Sequence, residues 1–105
     1  MTINDISFRA HGCGIGFESE TIFENNHRIL IVCGPAVYNR EGADTEDRPS
    51  ALQYTTFEYQ YINPTLLPEL GPWTGPVDLA GINAKIAEVK ALPLAPEPGQ
   101  GGNGE

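Results

Sequence analysis

The stretch AHGCGIGF, Ala10 to Phe17, gathers a histidine, a cysteine and three glycines. A phosphate cradle uses such glycines to open a helix whose first N–H groups face the anion. Here Gly12, Gly14 and Gly16 lead instead into GFESETIFE, which alternates with period two. No lysine follows, and Glu18 and Glu20 would repel an anion. A zinc site could draw on His11, Cys13, His27 and Cys33. If Asn25-Asn26 forms a two-residue turn, Phe23 faces Arg28, Glu24 faces His27 and Glu18 faces Cys33. His27 then sits at the turn, and the other three lie at the far end of the hairpin, about 20 Å away at the usual rise per residue. One tetrahedral site does not span that distance, and the spacing matches no common zinc pattern.

The remaining reading is conformational: a glycine-rich bend joining two strands. A bend at His11 to Gly14 sets Ala10 opposite Ile15 and Phe8 opposite Phe17, an aromatic cross-strand pair. Cys13 and Cys33 then reach the same end of the sheet and become candidate disulfide partners under oxidation.

The acidic residues invite other chemistry. Glu18 and Glu20 share one strand face, but a glycosidase pair flanks a cleft from different elements. A solvated strand face is the simpler account. Glu41, Asp44, Glu46 and Asp47 lack the ordered spacing of a calcium loop, and Arg40 and Arg48 flank them. Cys13 lies near His11, yet no third group is placed to orient a nucleophilic pair. Trp73, the single tryptophan, is the most suggestive binding residue. It stands in NPTLLPELGPWTGP with Pro68, Leu70 and Pro72, a segment suited to anchoring in a pocket of this domain or of a partner.

These residues need elements to carry them. ISFRA and GFESETIFE alternate as half-buried strands, with Phe17, Ser19, Thr21 and Phe23 on one side and Glu18, Glu20 and Glu24 on the other. RILIVC is apolar on both faces, which predicts an interior strand. Residues 39–50 are a polar loop. LQYTTFEYQYI is a long strand with Phe57, Tyr59 and Tyr61 on one face. Pro64, Pro68, Pro72 and Pro76 predict an extended arm over 63–76. Leu79, Ile82, Ile86 and Val89 form a helical stripe. Pro76 fits its first turn, Asp78 suits its N-terminus and Pro93 stops it. The expected fold is α+β: one domain over 1–92, with an antiparallel sheet of about four strands, the arm and one C-terminal helix. A Pro/Gly-rich tail follows over 93–105.

The 105 residues carry 14 acidic and six basic side chains, a net charge of −8. Two lysines and four scattered arginines do not make a phosphate-tracking surface, which argues against nucleic acid and anionic membrane. No apolar run approaches a membrane span, and no signal peptide is evident, so a cytoplasmic or virion-associated location is expected. No motif identifies a family, a cofactor or a metal. The expected function is a non-enzymatic protein-interaction module, a small structural subunit of a larger assembly such as a virion head-decoration or tail protein. Its partner would be its own copies or that assembly, contacted through Trp73, Pro68, Leu70 and Pro72. The alternative is an acidic inhibitor, a nucleic-acid mimic or anti-defence protein, using Glu18, Glu20, Glu24, Glu41, Asp44, Glu46 and Asp47 against a basic surface. A small enzyme comes third.

Overall fold

A computed structural model describes residues 1–12, 14–63 and 71–95. Five strands run in chain order across one antiparallel sheet: β1 (Arg9–Ala10), β2 (Phe17–Ile22), β3 (Arg28–Cys33), β4 (Thr56–Ile62) and β5 (Thr74–Asp78). One helix, α1 (Leu79–Lys90), follows β5. The fold is α+β, as the sequence predicts, with one strand more than expected. That strand comes from the expected arm: Thr74 pairs with Tyr59, and Val77 with Phe57, across a register break. Pro76 can lie in a strand because β5 is a sheet edge. The helix therefore starts after Pro76, and Asp78 caps it, Oδ1 accepting from the Gly81 amide at 2.8 Å.

The β3 run RILIVC is the central strand, and its odd-numbered residues face α1. Ile29, Ile31, Cys33 and Phe57 meet Ile82, Ile86 and Val89 in the core, with Ile3 and Ile6 closing one side. Leu79, expected in the helix stripe, is instead 48% exposed. It occupies the first helical position, where the chain has only just left the sheet edge.

Both hairpin registers differ from expectation. The β2–β3 turn spans three residues, not two. The Asn26 amide donates to the Phe23 carbonyl at 2.9 Å, and the Phe23 amide to the His27 carbonyl at 2.8 Å. Asn26 takes φ +69°, the left-handed residue that ends a three-residue hairpin loop. Phe17, not Glu18, therefore faces Cys33, and Ile22 faces Arg28. In the first hairpin Ala10 faces Phe17 and Arg9 faces Glu18, so Phe8 and Phe17 are not opposite one another. Gly16 accounts for the longer bend: at φ +71°, a Cβ there would come within 2.7 Å of the Cys33 carbonyl.

The hairpin loop also caps α1. Asn25 Nδ2 lies 2.9, 3.1 and 3.0 Å from the Val89, Lys90 and Leu92 carbonyls. The neighbouring His27 is buried; its Nε2 donates to the Pro93 carbonyl at 2.9 Å, and its Nδ1 accepts from the Tyr61 hydroxyl at 2.8 Å. The first residues of the expected tail are thus tied down: the Ala95 amide donates to the Asn25 carbonyl, and Asn26 Nδ2 to the Ala95 carbonyl. Residues 96–105 and 64–70, the latter including Pro68 and Leu70, lie outside the described residues. No helix among the described residues is long and apolar enough to cross a membrane.

Candidate interaction site

The outer face of β3 carries Leu30 and Val32. Pairing sets Leu30 between Glu20 and Gln60, and Val32 between Glu18 and Glu58. This mixed face is covered unequally. Over β4 it is closed: Glu58 is 2% exposed and Gln60 is buried. Over β2 it opens into a groove of about 320 Å³. Leu30 and Val32 line it, Tyr38 and Trp73 form one wall, and Arg9, His11, Glu18 and Glu20 form the other.

The aromatic wall is held from beneath. A Gly34–Ala36 turn carries the chain from β3 onto the outer face. There the two Glu58 oxygens accept from the Tyr38 and Asn39 amides, each at 2.6 Å. A buried carboxylate is tolerated because each oxygen receives a main-chain donor. Gln60 Nε2 donates to the Gly71 carbonyl at 2.7 Å and fixes the segment that presents Trp73. The Tyr38 and Trp73 ring centroids are 5.1 Å apart at 41°. Trp73 thus rests against its own domain, while Tyr38 remains 67% exposed. Pro72 is exposed beside it.

The charged wall is largely neutralised from within. Arg9 Nε donates to Glu18 at 2.8 Å, and His11 lies 3.5 Å from the same carboxylate. The Arg9 hydrogen bond is the main reason the Glu18 carboxyl is held below its ordinary value. Arg28 pairs with Glu20 at 2.7 Å. In the 39–50 loop, Arg48 pairs with Asp44 at 3.4 Å and with Glu46 at 3.1 Å. Among the described residues, Glu24, Glu41 and Asp47 have no ion pair.

The residues considered for metal do not converge. His27 is occupied on both ring nitrogens beneath α1. Cys33 carries a free, fully buried thiol that burial pushes up to about 12. Cys13, and with it the Cys13–Cys33 bridge, lies outside the described residues. No group of three His, Cys, Asp or Glu side chains could hold a metal ion among the described residues.

Arg9, Leu30, Val32, Tyr38 and Glu58 are residues of the candidate site that sequence reasoning did not single out. The signal was present in RILIVC. A strand apolar on both faces must be covered on both, so its neighbours Glu58 and Gln60 could not lie on a solvated face. No family model matches the chain, nor does any curated protein or solved structure.

Proposed function

We propose that the chain is a non-enzymatic protein-interaction module, a small structural subunit of a larger assembly, with a virion decoration or tail component as the type. One observation carries this reading. A buried carboxylate, Glu58, holds the Tyr38 segment so that its ring stands in water against Trp73, above an apolar floor. An exposed tyrosine backed by a half-buried tryptophan supplies large contact area at low entropic cost. The internal ion pairs at Glu18, Glu20, Asp44 and Glu46 favour this reading over an acidic mimic, because they spend the negative surface that a mimic would offer.

The two readings respond differently to salt. Aromatic docking buries apolar surface, which moderate salt hardly weakens. Acidic docking is screened over a Debye length of about 8 Å at physiological ionic strength. The test uses light scattering and sedimentation of the wild type, a Tyr38→Ala/Trp73→Ala variant, and a Glu18→Gln/Glu20→Gln/Asp44→Asn/Asp47→Asn variant. The aromatic variant is expected to stay folded and lose assembly; the neutralised one keeps it, and wild-type association persists to about 0.5 M salt. Loss in the neutralised variant alone, with collapse of wild-type binding in salt, overturns the assembly reading in favour of the inhibitor.

A further inference from the structure

The edge of β2 is only partly covered. Its pairing with β1 ends at Arg9↔Glu18, while its pairing with β3 continues to Ile22↔Arg28. The Phe23 amide donates to the His27 carbonyl, which fixes the phase of the ladder. Odd-numbered residues of β2 bond to β3, and even-numbered ones point to the other side. Glu18 is taken by Arg9. Glu20 and Ile22 therefore present main-chain N–H and C=O groups along the open edge, with no main-chain partner there among the described residues. Ile22 is 58% exposed beside them. Donors and acceptors at this i, i+2 spacing are matched by another extended backbone.

We infer that the occupant is a second copy of this chain, joined β2 to β2 about a two-fold axis at Thr21 to give one continuous sheet. The inference deepens the assembly reading above and rests on it. The open window is two residues long, bounded by Arg9 at one end and the Asn25-Asn26 loop at the other. An axis at Thr21 fits two such windows together: Glu20 bonds to Ile22 of the second copy, and Ile22 to its Glu20, four main-chain bonds in all. It keeps Glu20 diagonal to its symmetry mate rather than opposite, and Arg28 neutralises each carboxylate at 2.7 Å. An axis at Glu20 would set two carboxylates face to face and overlap β1. An axis at Ile22 would drive the strands into their own hairpin loops. The isologous contact is thus self-complementary in one register only.

The register gives the test. Thr21 meets its mate as a non-hydrogen-bonded pair with Cα atoms about 4.5 Å apart, within disulfide reach. Glu20 meets its own mate only diagonally, at about 7–8 Å, outside the usual range. In a Cys13→Ser background, Thr21→Cys is expected to oxidise to a covalent dimer, and Glu20→Cys to remain largely monomeric. Ile22→Pro removes an amide that has no main-chain partner among the described residues. It should leave the circular dichroism unchanged and remove the β2-paired dimer in sedimentation. If Thr21→Cys fails to cross-link at concentrations where the wild type self-associates, or both cysteines cross-link equally, or the wild type is monomeric at millimolar concentration, the inference is wrong. The Tyr38 and Trp73 variants report on the assembly reading separately, since neither residue contributes a main-chain group to the Glu20–Ile22 edge.

Discussion

Glu58 shows what a single buried carboxylate does when both oxygens are engaged. In TFEYQYI it occupies an alternate position that reads as a polar outer face, and only its surroundings turn it into a clamp. Glu58→Gln keeps the size but turns one acceptor into a donor facing a main-chain N–H. It should cost about 1.5–3 kcal/mol, as lost bonds to a charged group do, and loosen Tyr38. Urea unfolding and Tyr38 fluorescence would check both. Cys33 is the opposite case, a reactive residue type made inert. Its thiol ionises near 9.0 when exposed and near 12 when buried. A raised value means that the stabilisation is complete below pH 9 and declines as pH rises toward 12, because the unfolded chain ionises first. Wild-type stability should therefore fall more steeply over that window than that of Cys33→Ala. In a Cys13→Ser background, a thiol reagent at pH 8 should react only as fast as the protein opens. Trp73 stood out in the sequence because a lone tryptophan among prolines is conspicuous. Tyr38 was not, since nothing in VYNR marks it.

At the level of elements, the strands and the helix were readable from their periods, but the joins between them were not. Ile82, Ile86 and Val89 lie where a three-and-four spacing puts them, and all three are fully buried. Ile86→Ala should cost about 2–4 kcal/mol, the usual range for truncating a buried aliphatic, measurable as a lower denaturant midpoint. The hairpin turned differently because Asn25 answers to a tertiary demand. Its amide group caps α1 more than 60 positions further along the chain, and local turn chemistry does not report such a bond. Asn25→Ala should strip the helix of these partners and cost about 1–3 kcal/mol, with the loss in helix-end protection measured by amide exchange. The expected arm misled for a related reason. Proline density excludes interior strands, but an edge strand accepts Pro76.

Among the described residues, the sheet is covered on one face by a helix and on the other by irregular chain over β4. The fold class was legible because a two-layer solution follows from alternating strands and one amphipathic helix. The groove was not, because it is made by what the second cover leaves bare, and that depends on how residues 34–43 and 71–73 cross the sheet. Charge was legible in sum and not in arrangement. The net −8 is real, yet four of the seven carboxylates expected to form an acidic surface are answered by arginines of the same chain.

The position of α1 has a consequence during synthesis. The central inner-face residues Ile29, Ile31 and Phe57 are in place once β4 has been made, but their cover, α1, is the last element among the described residues. Until Ile82, Ile86 and Val89 leave the ribosome, that face lacks its helical cover, and the Asn25 loop has no helix end to hold. Translation therefore passes through a stage in which the first four strands wait, apolar side open, for the edge strand and its helix. In that interval the nascent chain is at its most exposed to chaperones and to other copies of itself.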